Sequence, residues 1–191
     1  MEALANASLT RWLHGLPGVD HVGADAWAAG LATGSIKAAS KAWAVGTAIS
    51  MIDLTTLEGA DTERTVGSVC ATAMAPDPGD PATPQGGAVC IYADMVPVAV
   101  DALKGSNIPV VAVTSAFPTG RATMAVKLTD TRDALRVGAH EIDMVIDRWA
   151  FLSGRYLQVF NQIAASGRSL LSRGAMAPRR TSRSSLSPAS W

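Results

Sequence analysis

Apolar and polar positions follow two periods in the middle of the chain, and this pattern predicts strands that alternate with helices. Short apolar runs predict four strands. An amphipathic stretch with apolar residues three and four positions apart follows each run and predicts a helix. The predicted strands are 48–54, 88–92, 109–117 and 141–146, and the predicted helices are 61–74, 94–105, 122–138 and 151–163. Four successive βα units predict parallel strands with right-handed crossovers.

Capping residues mark where these helices should begin and end. Asp61 and Asp94 stand where an N-cap is expected, and Pro97 falls in the first turn of the second helix. Gly105 and Gly138 follow the last periodic positions of the second and third helices. These signals agree with the periodicity and predict helices of ordinary length for an α/β domain.

Two architectures fit parallel βα units, a doubly wound sheet and a (β/α)8 barrel. The first predicted strand runs into "TTLEGADT" without the glycine-rich turn of a nucleotide-binding sheet, which favours the barrel. With four units, the prediction is a partial barrel at residues 46–164. Residues 1–45 are rich in Ala and Trp and predict a leader of helices packed outside it. Residues 165–191 are rich in Ser and Arg and predict a disordered tail.

Carboxylates interrupt two of the predicted strands. Ile142, Met144 and Ile146 share one parity, which should face the helices, whereas Asp143 has the opposite parity. Asp53 lies in the first predicted strand in the same way. Two strands that each direct a carboxylate into one interior form a pattern that a catalytic barrel can use, and barrel sites collect at the C-terminal ends of the strands, so Asp53 and Asp143 are candidates for one site.

Structural roles for these residues stay open on the sequence alone. Asp53 could cap the following turn or bond the threonines after it, and Asp143 could bond backbone or a neighbouring hydroxyl. Glu141 and Asp147, at the two ends of the fourth strand, are expected to be solvated. Cys90 lies within a predicted strand, where a small core residue is commoner than a nucleophile.

Composition and charge exclude several classes of protein. Apolar residues make up 48% and charged residues 17% of the chain, and the formal net charge is zero, so the chain should be globular without a general pull toward nucleic acid or a membrane. No apolar run reaches the roughly 18 residues of a membrane span, and no secretory signal is expected. Five arginines and no acids lie after residue 165, so a nucleic-acid-binding tail is a minor alternative.

Cysteine and histidine usage predicts a reduced, cytoplasmic protein without a metal. Cys70 and Cys90 have neither metal-ligand nor disulfide spacing. His14, His21 and His140 are scattered and show no ligand spacing. Metals and other cofactors are therefore not expected.

Four segments of the chain, in order, resemble the deoxyribose-phosphate aldolase family. They are "MIDLTTLEGADT", "AVCIYADMVPVAV", "SAFPTGRAT" and "DTRDALRVGAHEIDMVIDRWAFLSGRY". The resemblance runs from about residue 42 to about residue 163. It implies a (β/α)8 barrel and a lyase of the class I type, which forms a Schiff base and needs no metal. The implied substrate is a sugar phosphate, 2-deoxy-D-ribose 5-phosphate, cleaved reversibly to glyceraldehyde 3-phosphate and acetaldehyde in carbohydrate degradation.

The resemblance also implies roles for individual residues. Asp143, in "EIDMVI", matches the family aspartate that transfers protons beside the Schiff-base lysine. Asp53 matches an aspartate that lines the pocket for the substrate hydroxyl, and Thr55 of the same motif is placed with it. Cys90 matches a cysteine near the site. Ala93 replaces a proline common in the family, which should matter little because proline there only stiffens the turn.

The larger departure from the family is the absence of its later motifs. The Schiff-base lysine, a second active-site lysine and the phosphate-binding glycine loops belong to later strands of the family barrel. The lysines of this chain are Lys37, Lys41, Lys104 and Lys127, and none lies on a predicted strand. The chain alone is therefore expected to be inactive, as a frameshift or misjoined reading frame would leave it. The alternative is a non-catalytic half-barrel that acts by association with another chain, and self-association into a homo-oligomer is compatible with either.

Overall fold

Four parallel strands and eight α-helices make up the structure, a computed structural model that describes residues 2–174. The strands are β1 (Asp53–Thr55), β2 (Ala88–Tyr92), β3 (Val110–Thr114) and β4 (Glu141–Met144). The helices are α1 (Glu2–His14), α2 (His21–Ala32), α3 (Ala38–Ile49), α4 (Glu63–Met74), α5 (Val96–Ala102), α6 (Met124–Arg136), α7 (Arg148–Leu152) and α8 (Tyr156–Gly174). The α/β class predicted from the sequence is confirmed.

The strands lie side by side in chain order, β1-β2-β3-β4, and every neighbouring pair is parallel. Helices connect them, as parallel strands require. Within residues 2–174, β1 and β4 each have a strand neighbour on one side only. This is the arrangement of four successive units of a (β/α)8 barrel.

Side chains of the sheet divide between two apolar clusters on opposite faces. Val89, Ile91, Val110 and Ala112 pack against α4, α5 and α6, and they are all fully buried. The neighbouring positions of β2 and β3 form a smaller cluster on the other face. That cluster contains Ala88, Cys90, Val111 and Val113. We call this second face the inner face; on it the polar residues of β1 and β4 also lie.

The first predicted strand is too long at its amino end. Helix α3 continues to Ile49, and Ser50 N donates to Gly46 O at 3.0 Å. Strand β1 therefore starts at Asp53 and not at residue 48. Alanine favours helix, and an apolar run this short does not by itself distinguish a helix end from a strand.

Two predicted N-caps are displaced. Thr62, and not Asp61, caps α4 by accepting from Thr65 N at 3.3 Å. Asp61 instead accepts from the Thr56 hydroxyl at 2.8 Å and closes the loop before the helix. Asp94 lies inside a 3-10 turn, and α5 begins only after it. Adjacent Asp and Thr residues compete for a cap, and the loop geometry decides between them.

The fourth predicted helix is two helices. The chain breaks at Gly154, whose φ of +72° favours glycine, so that α7 and α8 run separately. Helix α8 then continues to Gly174, because Val159, Gln162 and Ser166 are buried where α8 packs on the neighbouring helices. Predicted disorder from residue 165 is thus wrong for 165–174, and residues 175–191 lie outside the described part of the chain. The division into 1–45, 46–164 and 165–191 stays a prediction.

The predicted leader is formed by α1, α2 and α3, which pack to different extents. Asn6 fixes α1 to the start of α8 by donating to Gly154 O at 3.1 Å and accepting from Leu157 N at 3.0 Å. Neither α2 nor α3 has a buried residue. Trp27 is 80% and Trp43 is 73% exposed, so these two helices present apolar surface to solvent. Over residues 2–174, no helix combines the length and apolar character needed to cross a bilayer.

Candidate active site on the inner face

Strand β4 presents Asp143 to the inner face, as its parity predicted. Ile142 packs against the cluster on the helix side. Asp143 Oδ2 accepts a long hydrogen bond from Cys90 Sγ, at 3.6 Å. Strand β3 lies between them, with Val111 beside Cys90 and Val113 beside Asp143. The two residues are 53 positions apart in the chain, and only the sheet register brings them together.

Strand β1 adds Asp53 and Thr55 to the same face. Thr55 is in register with Cys90, and Asp53 with Ala88. Both residues also act on the Cys90 thiol, Thr55 through a hydrogen bond and Asp53 through its charge. The residues predicted from the sequence therefore meet around Cys90, on three different strands.

The Cys90 thiol is held in its protonated form. The pKa of the thiol is raised to about 11, chiefly by burial. The charge and hydrogen bond of Asp143 and the charge of Asp53 also raise the pKa, whereas the hydrogen bond with Thr55 lowers it. A thiol is nucleophilic only as the thiolate. At neutral pH Cys90 is therefore a hydrogen-bond donor to Asp143.

The candidate carboxylates Asp53 and Asp143 are solvent-exposed. Within residues 2–174, no ion pair or hydrogen bond joins Asp53 or Asp143 to a lysine or arginine. The Asp53 side chain does not bond the following threonines, since the Thr56 hydroxyl bonds Asp61 and the Thr55 hydroxyl reaches the Asp53 carbonyl at 3.4 Å. Both acids can thus accept a hydrogen bond from a hydroxyl group, or a proton, of a ligand over the inner face.

The loop after β3 has an unusual backbone that the sequence did not reveal. Ser115 and Ala116 have φ of 67° and 62°, in the left-handed region. Ser115 N donates to Asp130 Oδ2 at 2.8 Å, which holds the loop against α6. Arg121, later in the same loop, is exposed, and its guanidinium carbon lies 5.5 Å from the centre of the Trp149 ring.

A buried lysine is the polar residue that sequence reasoning missed. Lys127 has no exposed surface, and its Nζ donates to Gln162 Oε1 at 2.9 Å. Burial lowers the pKa of Lys127, and the charge of Asp147 partly opposes this. Lys127 shares a helix face with Thr131 and Leu135, and the structure buries all three, although a lysine and a threonine on that face gave no signal of burial in the sequence.

The expectation that Asp147 is solvated is wrong, because the residue is only 6% exposed. Its Oδ1 accepts from Ala150 N at 3.0 Å and caps α7, and its Oδ2 accepts from Gln158 Nε2 at 3.5 Å. Glu141, at the other end of the strand, is exposed as predicted. In the described part of the chain, no group of three or more His, Cys, Asp or Glu residues could hold a metal ion.

The strand order, the helix layer on one face and the polar residues on the other define a class: an α/β protein with half of a (β/α)8 barrel. Sequence comparison finds curated relatives of this chain. The chain is 37% identical over 130 residues to human deoxyribose-phosphate aldolase and 36% identical over 126 residues to the mouse protein of the same name. Each match covers 61% of this chain and 40% of the relative, so the chain spans about two fifths of the length of these curated relatives. No protein-family model matches the chain.

Solved structures agree with the sequence relatives. A candidate deoxyribose-phosphate aldolase from Coccidioides immitis is 28% identical with a TM-score of 0.58, over 65% of this chain and 46% of that one. The tetrameric deoxyribose phosphate aldolase of Aeropyrum pernix, at 20% identity and a TM-score of 0.52, shares the fold over 65% of this chain and 49% of its own. The resemblance to deoxyribose-phosphate aldolases, predicted from four segments, is confirmed.

Proposed function

We propose that this chain carries part of a deoxyribose-phosphate aldolase site, for the cleavage of 2-deoxy-D-ribose 5-phosphate to glyceraldehyde 3-phosphate and acetaldehyde. The observation that carries the proposal is the meeting of Asp53, Thr55, Cys90 and Asp143 on one face of the sheet. Asp143 is the proton-transfer residue. Asp53 and Thr55 bind the substrate hydroxyl.

The chemistry of these groups suits the proposed roles. The exposed Asp143 carboxylate can accept a proton from a carbon or hydroxyl held over it. The Cys90 thiol, protonated because its pKa is raised to about 11, donates to Asp143 and orients it. Asp53 can accept a hydrogen bond from a sugar hydroxyl, and the Thr55 hydroxyl can donate or accept one.

We further propose that this polypeptide by itself does not turn over substrate. A Schiff-base lysine must attack as the neutral amine and must reach the substrate beside Asp143. Lys104 is exposed and pairs with Asp101 on α5, and Lys127 is enclosed against Gln162. Lys37 and Lys41 lie at the start of α3. None of the four has a hydrogen bond or ion pair with Asp143 in the described residues.

Borohydride trapping tests the proposed inactivity of the chain. The chain is incubated with acetaldehyde or deoxyribose 5-phosphate, reduced, and mapped by mass spectrometry. We expect no specific adduct on any lysine and no retro-aldol activity. A stoichiometric adduct on one lysine, together with turnover, would refute inactivity.

Binding of deoxyribose 5-phosphate, followed by NMR at Asp53, Thr55 and Asp143, tests the site itself. Asp53→Asn should weaken it, whereas Asp133→Asn on the exposed side of α6 should not.

A second candidate function is that of a half-barrel that works by association with another chain. It is favoured by two features of the described residues, the unpaired edges of β1 and β4 and the apolar surface of α2 and α3. Unpaired parallel strands offer backbone groups to a further strand. We also propose a cytoplasmic location, which the two free cysteines, Cys70 and Cys90, support.

A further inference from the structure

A cleft lined by helices α1, α6 and α8 shares no residue with the candidate site on the inner face and has the chemistry of an anion site. Its volume is about 570 Å³. Of the described residues that line it, Arg155 carries the only full charge and none is acidic. Gln158, Asn161 and Gln162 add carboxamide groups to the wall. Hydrogen-bond donors and one cation thus face a space without a carboxylate.

Gln162 is fixed so that its donor is left available. The residue is 6% exposed, and its Oε1 accepts from Lys127 Nζ at 2.9 Å. An ammonium group can only donate, so the oxygen of the carboxamide must face Lys127. The NH2 group of Gln162 then points to the other side, and it has no hydrogen-bond partner in the described residues.

The Lys127 ammonium, when protonated, lies directly behind this wall, against Gln162. It is completely buried, and no carboxylate lies within ion-pair distance of it in the described residues. Asp147 acts on it only at longer range, and its oxygens are already engaged by Ala150 N and by Gln158. A buried cation without a close counter-ion is unfavourable. An anion in the cleft would offset part of that cost through the Gln162 carboxamide.

We propose that this cleft binds an oxyanion, the carboxylate or phosphate group of a small molecule. Arg155 and the Gln162 NH2 donate to it directly, and Lys127 acts through Gln162 as a positioning residue. The Arg155 guanidinium lies 4.5 Å from the centre of the Trp149 ring, which restrains it at the rim. The planar guanidinium fork matches both carboxylate and phosphate.

NMR titration of the labelled full chain tests the site with inorganic phosphate and, separately, with malonate, against chloride at equal ionic strength. We expect saturable shifts of the Gln162 side-chain NH2 with one or both oxyanions and none with chloride; a response to only one of them identifies the anion class. Arg155→Gln should weaken binding by about tenfold or more, through loss of a charge-assisted bond. The control Arg148→Gln, on exposed α7 surface outside the cleft, should leave it unchanged.

Gln162→Glu separates the site from the fold. A carboxylate at this position pairs with Lys127, so the helix packing is kept, yet it repels an anion in the cleft. We expect oxyanion binding to be lost while the thermal midpoint stays the same or rises. Absence of saturable shifts in the unsubstituted chain, unchanged binding in Gln162→Glu, or equal weakening by Arg155→Gln and Arg148→Gln would each overturn the proposal.

Discussion

Cys90 takes its chemistry from residues on two other strands of the sheet, the adjacent β1 and the more distant β4. Its own backbone position in β2 buries it, β4 supplies the Asp143 carboxylate, and β1 supplies Thr55 and Asp53. A cysteine in a buried strand is ordinarily an inert small side chain. Here it donates to an exposed carboxylate and is held as the thiol.

The raised pKa of Cys90 predicts a loss of stability at high pH. Below about pH 9 the thiol is protonated in both folded and unfolded chains and contributes nothing. As pH rises from about 9 toward 11, the unfolded thiol releases its proton while the folded one keeps it, so the free energy of unfolding falls. Urea unfolding at pH 8, 9 and 10 should show a smaller fall in Cys90→Ala than in the unsubstituted chain. Identical pH slopes would contradict the assignment.

The left-handed backbone conformation at Ala116 predicts that replacement by glycine stabilises the protein. A φ of 62° destabilises the folded chain by about 1–2 kcal/mol when the residue is alanine, and glycine removes this strain. Glycine also has more freedom in the unfolded chain, which offsets about 0.5–1 kcal/mol of the gain. Ala116→Gly should therefore raise the free energy of unfolding by about 0.5–1 kcal/mol. The control Ala71→Gly, at an exposed position inside α4, should lower it by about 1 kcal/mol. Destabilisation by both substitutions would show that the strain is absent.

At the scale of elements, α7 depends on a single cap that also influences a buried lysine. Helix α7 has five residues, too few to be stable alone. Asp147 holds it by accepting from Ala150 N, and its charge favours the protonated form of Lys127. One side chain thus serves both the helix start and the packing of α6 on α8.

Substitution of Asp147 should separate these two roles. Asp147→Asn keeps a capping oxygen and removes the charge, whereas Asp147→Ala removes both. We expect Ala to cost about 1 kcal/mol more than Asn in urea unfolding. Asp133→Ala, which breaks an exposed pair with Arg136, should cost no more than about 0.5 kcal/mol. Equal effects of Asp147→Ala and Asp133→Ala would contradict this account.

At the scale of the whole molecule, the described residues leave two strand edges open and apolar helix surface in solvent. Strands β1 and β4 are edges, and Trp27 and Trp43 stand largely in solvent. Contiguous apolar surface and open strand edges both favour association. The chain also spans about two fifths of the curated aldolases that it resembles.

We therefore expect the purified chain to self-associate. Sedimentation velocity should give a weight-average mass above the monomer that rises with concentration, and calorimetry should not show cooperative monomeric unfolding. If the leader is responsible, Trp27→Glu with Trp43→Glu should reduce association, whereas the same charge added twice at the exposed α4 positions Thr72 and Ser68 should not. A monodisperse monomer with one cooperative transition would rule the expectation out.

The sequence by itself determined the succession of strands and helices, the parallel order and the faces of β4. These follow from local periodicity, because an alternating pattern assigns a side chain to one face whatever packs there. Asp143 could thus be placed opposite Ile142 from the letters alone. The resemblance to aldolases was likewise carried by residues in order along the chain.

Tertiary structure alone decided which polar residues are buried and which meet. Lys127 and Asp147 look like surface residues in sequence, yet the packing of α8 on α6 encloses the lysine and the start of α7 encloses the acid. The meeting of Cys90 with Asp143 needs the register of three strands, and the extension of α8 needs neighbouring helices to pack against. Burial depends on contacts between distant segments, and no local pattern contains that information.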